Sequence, residues 1–104
     1  MNPQAKILNA HGMLIALRYA ILTVLAANTG VTMSSNEILN ALPPAISRRL
    51  TAISGGYSSR YPCGKAASYV GTVAAMEAQS NPNITHDYHH YCPVLMKYED
   101  AFVM

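Results

Sequence analysis

The stretch MSSNEILNALPPAISRRLTAISGG, residues 33–56, decides how the rest of the chain is read. Ser34-x-x-Glu37 is a capping box: the hydroxyl accepts from the backbone N–H three residues on, and the carboxylate returns the bond at the positive helix end. A short helix with Ile38, Leu39 and Leu42 on one edge follows. Pro43-Pro44 ends it, because proline lacks the N–H donor and pushes its predecessor out of the α region. Pro44 suits the first position of a second helix, in which Ile46, Leu50 and Ile53 recur at helical spacing and Gly55-Gly56 supplies the stop. Ser47, Arg48, Arg49 and Thr51 are left to face outward or sideways. Two short helices about a tight break, the second bearing arginines and hydroxyls, make a helix-turn-helix candidate.

Working outward from this stretch, residues 6–27 predict a core helix with Leu14, Leu17, Ile21, Leu22 and Leu25 on one face and Arg18 and Thr23 off it. Gly12 is placed to divide it, and Asn28 and Gly30 to close it. Residues 31–33 read as an extended link. Downstream, Tyr57 to Gly64 has loop composition. Lys65 to Gln79 returns to a helix with Ala66, Ala67, Val70, Val73, Ala74 and Met76 on a narrow apolar side, weakened a little by Gly71. Ser80 to Asn83 stops it. Ile84–His89 and Val94–Tyr98 read as two strands of a hairpin turning near Tyr91–Pro93. The expected fold class is mainly α with a small C-terminal β-hairpin (α+β), in one domain spanning residues 1–104. Residues 1–5 and 100–104 are expected at its flexible ends, although Phe102, Val103 and Met104 are apolar enough for a dimer contact or a packing tail.

A chain of 104 residues that is 51% hydrophobic can bury a core without staples. Only 12% of its residues are charged, half the usual share, so apolar surface left by so thin a charged shell invites a covering partner, and a homodimer is expected. The net charge of +2 is unevenly spread. Residues 38–76 hold Arg48, Arg49, Arg60 and Lys65 with no acid, whereas residues 77–104 hold Glu77, Asp87, Glu99 and Asp100 against Lys97 alone. An anionic partner would meet the middle; four solvated side chains on separate faces is the equal alternative. Two distant cysteines without a secretory leader suggest reduced thiols and a cytoplasmic protein. The most apolar run, residues 13–27, is broken by Arg18 and too short for a bilayer.

The order helix, short helix, helix, hairpin resembles the winged helix-turn-helix superfamily over about residues 14–98. The stretch from Ile21 to Leu42 is similar to the first helix, turn and second helix of such domains, and the run from Tyr69 into Ile84 to the end of a recognition helix entering a wing at His86–Cys92. The resemblance implies a transcriptional regulator on double-stranded DNA. The chain departs from the family in the long connection after its second helix, which leaves two recognition helices open. One is Pro44–Ser54, presenting Ser47, Arg48, Arg49 and Thr51; the other is Lys65–Gln79, presenting Lys65, Ser68, Tyr69 and Thr72. Arg60 serves either. Arginine can pair bidentately with guanine while hydroxyls fix the register on phosphate. With so few cations, useful affinity needs a dimer on two half-sites and is strongly salt dependent.

Other constellations carry less. His86, Asp87, His89, His90 and Cys92, with Cys63 in reach, are zinc-ligand types. On an alternating strand, however, His86, Tyr88 and His90 share one face and His89 the other, and no C-x-x-C pair anchors them, so no metal or other cofactor is expected. Cys63 with a histidine and Asp87 is combinatorial freedom rather than a catalytic motif, and Gly64-Lys65 lacks the rest of a phosphate loop, so no enzyme is expected. The alternative function is a non-enzymatic protein-binding inhibitor or adaptor of phage or plasmid type, which low charge and many Met and Tyr residues suit.

Overall fold

The computed structural model describes residues 2–54, 64–93 and 96–104. Helix α1 (Pro3–Ala10) starts on Asn2, whose side chain accepts from the Gln4 N–H at 2.8 Å, with Pro3 at the first helical position. Gly12, at a φ of +68° that favours glycine, then turns the chain through 106° into α2 (Leu14–Ala27). The helical stretch expected over 6–27 is thus two helices, divided at the glycine placed to divide it. Leu17, Ile21 and Leu25 of α2 are fully buried, Leu14 and Leu22 pack at the core's margin, and Arg18 and Thr23 lie on the exposed side.

A two-residue strand β1 (Met33–Ser34) leads into α3 (Ser35–Ala41). Both halves of the capping box form: Ser34 Oγ accepts from the Glu37 N–H at 3.1 Å, and Glu37 Oε1 accepts from the Ser34 N–H at 3.3 Å. Ser34 is 2% exposed, so water cannot replace the bond its hydroxyl makes. Ser34→Ala is accordingly expected to lower the unfolding free energy by about 1 kcal/mol in urea titrations, with little change in m.

Leu42 and Pro43 separate α3 from α4 (Pro44–Ile53), which begins on Pro44 and is anchored by the fully buried Leu50. Residues 55–63, with the expected stop at Gly55-Gly56 and most of the loop expected from Tyr57 to Gly64, lie outside the described residues. Helix α5 (Gly64–Ser80) is the axis of the core: Val70, Val73 and Ala74 are fully buried, and α5 touches each of the other four helices and both strands of the hairpin. Small residues on several of its sides let that many neighbours approach. At Gly71 the approach is tight, since a Cβ there would meet Ser35 Oγ at 2.7 Å.

Strands β2 (Thr85–Cys92) and β3 (Lys97–Val103) form an antiparallel hairpin, and β1 joins its other edge to give a three-stranded sheet in the order β1-β3-β2. The architecture is α+β. Three sequence expectations are corrected here. The link over 31–33 contributes a third strand, because Met33 and Ser34 pair with Phe102 and Ala101. The first hairpin strand runs through Tyr91 to Cys92 and the second starts at Lys97, so the reversal lies beyond Cys92 rather than at 91–93, with Met96 at a φ of +52°; both strands run longer than expected, and residues 94 and 95 lie outside the described residues. The ends are also built in. Ala5 is fully buried in α1, and residues 100–103 belong to the central strand, with Ala101 and Phe102 at 0% exposure. Pairing on both edges and an apolar face against the helices hold that tail in place.

Candidate nucleic-acid interface

Helix α4 is amphipathic. Leu50 is buried, Ile46 and Ile53 pack against the core, and Ala45, Arg48, Arg49 and Ala52 are exposed on the other side. No acid lies on the helix. Arg48 makes no hydrogen bond or ion pair with any described residue, while Arg49 Nη2 donates to the His11 carbonyl at 3.2 Å, across the corner between α1 and α2. That bond is to an exposed carbonyl and is easily exchanged for a phosphate oxygen. Ser47 and Thr51 are half-buried at the flanks. Ser47 Oγ donates to the Pro44 carbonyl at 3.2 Å and Thr51 Oγ1 to the Ser47 carbonyl at 2.9 Å, so both hydroxyl protons are spent within the helix. The outward face of α4 is thus two guanidinium groups, and His11 is the neighbour that the one-dimensional pattern does not reveal.

The second set of candidates is not presented in the same way. Tyr69 is 6% exposed and belongs to the core. Ser68 Oγ accepts from Gln4 Nε2 at 2.9 Å, and Thr72 Oγ1 donates to Gln4 Oε1, so α1 covers this side of α5. The Lys65 side chain and all of Arg60 lie outside the described residues. A helix that reads a groove must be bare on the reading side; from Ala66 to Ala78 only Ser68 of α5 is fully exposed, and Gly71, Thr72, Ala75 and Met76 are half-buried along a recessed groove. One further cation is withdrawn from any anion site: Arg18 Nε donates to Glu77 Oε1, joining α2 to α5.

Beside α5 an open groove of about 600 Å³ runs between Ser35 and Asn36 of α3 and Tyr98–Asp100 of β3, floored by Gly71 and Ala75. Among the described residues no basic side chain lines it, and Glu99 and Asp100 do, which disfavours phosphate there.

On the hairpin the facing of the histidines is corrected. A bulge lies between Asp87 and His90, where two residues of β2 oppose one of β3 and the alternation slips by one. His86 pairs with Phe102 and Tyr91 with Tyr98, so His86 and Tyr91 share a face, whereas His90, opposite Glu99, is on the other. His86 stacks between Tyr88 and Phe102, at centroid distances of 3.8 and 4.6 Å. Its Nε2 lies 3.2 Å from Asp100 Oδ1 without the alignment of a hydrogen bond. His90 Nε2 is 3.6 Å from Glu37 Oε1, and His89 sits edge-on to Tyr98. Among the described residues no three His, Cys, Asp or Glu side chains gather closely enough to hold a metal ion; Cys63 and the Cys92 side chain are outside that set. Nor is any described helix long and apolar enough on its own to cross a membrane.

Compared with known protein families, with curated proteins and with solved structures, the chain matches none. Its fold is that of a small α+β domain in which two short helices joined by a two-residue turn stand outside a buried fifth helix.

Proposed function

We propose that the chain is a small DNA-binding protein of winged helix-turn-helix type, a transcriptional regulator that acts by binding and as a homodimer, with α3–α4 as its helix-turn-helix and α4 as the helix that enters the major groove. The observation that carries this reading is the face of α4: Arg48 and Arg49 side by side, exposed, with no acid on the helix. Support comes also from the succession of α2, β1, α3 and α4 and the closing hairpin, with β1 completing the hairpin's sheet. The departure from the winged pattern is α5, a core helix inserted between the reading helix and the hairpin. In this reading the hairpin stays off the phosphates, because Asp87, Glu99 and Asp100 would be repelled by them.

Fluorescence anisotropy of a labelled random duplex titrated at two salt concentrations tests the proposal. Binding in the micromolar range at about 50 mM salt should weaken at least tenfold by about 200 mM. Arg48→Ala with Arg49→Ala should remove most of it and flatten the dependence of affinity on salt by about two charges per protomer. A double variant that binds as the parent does excludes α4 as the reading helix.

The second reading, a protein-binding adaptor, is favoured by one observation. Tyr88, Tyr91, Met96 and Tyr98 are all exposed on the hairpin, at 64%, 45%, 78% and 65%, and Tyr and Met are the residues that interfaces favour. Under it the double arginine variant leaves the protein complex intact and no duplex is bound at any salt.

A further inference from the structure

Helix α2 is apolar on the side that the fold leaves in solvent as well as on the side it buries. Its inward residues are Leu17, Ala20, Ile21, Val24 and Leu25. Outward, Ile15, Tyr19, Leu22 and Ala26 follow one another at intervals of four, three and four, the spacing of a two-helix seam. Ile15 is 62% exposed and Tyr19 68%, and Ala26 is exposed beyond the half-buried Leu22. A helix with an apolar stripe on its solvent side, between Arg18 and Thr23, has apolar surface left to cover.

Two polar side chains border this stripe, Thr23 on one side and the half-exposed Arg18 on the other. Thr23 Oγ1 donates to the Tyr19 carbonyl at 2.8 Å, and the Arg18 guanidinium is held by Glu77. Covering the stripe therefore strands no hydroxyl proton, and the rest of the Arg18 guanidinium, half-exposed at the edge of the stripe, can keep its water. The stripe also complements itself in size. When two copies lie antiparallel about a two-fold axis, Ile15 falls against Ala26 and Tyr19 against Leu22, a large side chain beside a smaller one at each level. A parallel arrangement would set Tyr19 on Tyr19 and leave Ala26 facing Ala26.

We propose that the outer face of α2 is the surface through which two copies of this chain pair, as an antiparallel helix seam centred between Tyr19 and Leu22. The area suits a reversible association. Each helix is about 21 Å long and the stripe is four residues, two of them large and mostly exposed, so the seam falls below the standard interface of about 1,600 Å² and in the range of transient complexes. A dissociation constant in the tens of micromolar is expected. The seam names the surface for the dimer invoked above but does not rest on DNA binding, and α4 takes no part in it.

Sedimentation velocity on the full chain over roughly 1 to 300 μM is the test, spanning the expected constant. The parent should pass from monomer to dimer, and Tyr19→Glu should weaken the dimer more than about tenfold by placing a charge at the centre of the seam. Both Tyr19 and Ile15 are largely exposed, so Tyr19→Glu and a second variant, Ile15→Lys, should melt within a few degrees of the parent. In a chain with Cys63 and Cys92 replaced by serine, Ile15→Cys together with Ala26→Cys should form a covalent dimer on mild oxidation, faster than either single variant. A monomer at every concentration overturns the proposal, as does a dimer that Tyr19→Glu leaves intact. A dimer sensitive to Tyr19→Glu without the paired cross-link overturns the antiparallel arrangement. Duplex anisotropy on the Tyr19→Glu variant separates the two questions, since non-specific binding at low salt through α4 should persist in the monomer.

Discussion

Phe102→Ala is expected to cost about 4 kcal/mol of unfolding free energy, the largest effect of any single truncation considered for this chain. The ring is fully buried, sits on the central strand of the sheet opposite both Met33 and His86, and stacks on His86 at 4.6 Å. Its loss removes the apolar transfer energy and leaves a cavity that cannot close easily, because strands pair with β3 on both edges. Domains of this size are stable by only about 5–15 kcal/mol, so the variant should melt roughly 20 °C below the parent, as followed by circular dichroism. Phe102→Leu keeps most of the volume and should lose less than half as much. Removing residues 100–104 altogether should prevent folding, since the pairs Ser34 with Ala101, Met33 with Phe102 and Thr85 with Val103 go with them. A truncated chain that melts cooperatively near the parent temperature would show that β3 does not organise the sheet.

Arg18→Met should cost about 2–3 kcal/mol, while Glu77→Met should cost less than 1 kcal/mol. The asymmetry follows from burial. The Glu77 side chain is 8% exposed and that of Arg18 48%. Without the arginine, a nearly buried carboxylate loses the cation that pairs with it; without the glutamate, the half-exposed guanidinium can turn to water. The half-exposed position of Arg18 screens the pair, which is why the expected loss lies below the roughly 3–5 kcal/mol of a fully buried ion pair. The double variant Arg18→Met with Glu77→Met should return to within about 1 kcal/mol of the parent, and a double-mutant cycle in urea reads the coupling directly. Equal losses for the two single variants would show that the pair behaves as an exposed one.

Arg18 and Glu77 also illustrate what a sequence pattern conceals. Arg18 interrupts the most apolar helix of the chain, and Glu77 is the first acid after a long basic stretch, yet nothing in their spacing ties one to the other across 59 positions. The same holds for Gln4, which engages Ser68 and Thr72 and so covers the side of α5 that the residue types alone suggest is free. Tyr69 carries a hydroxyl and an aromatic ring, which suit a base or a core equally; packing decided for the core.

Signals whose physics is local were legible. The capping box of Ser34 and Glu37, the stop at Pro43, the restart at Pro44, the turn at Gly12 and the stop after Ser80 each depend on hydrogen bonds or dihedral limits within a few residues, and the structure has each where the sequence places it. So were the helical faces that turn Leu17, Ile21 and Leu25 inward and Arg48 and Arg49 outward. What only the tertiary structure decided is everything carried by distant partners. It recruited residues 100–103 into the central strand, because β1 and β2 supply backbone partners on both edges. It placed a bulge that sends His86 and His90 to opposite faces, because a ladder register belongs to two strands at once. And it buried α5 while leaving α4 bare, because the number of neighbours a helix acquires depends on how the whole chain packs around it.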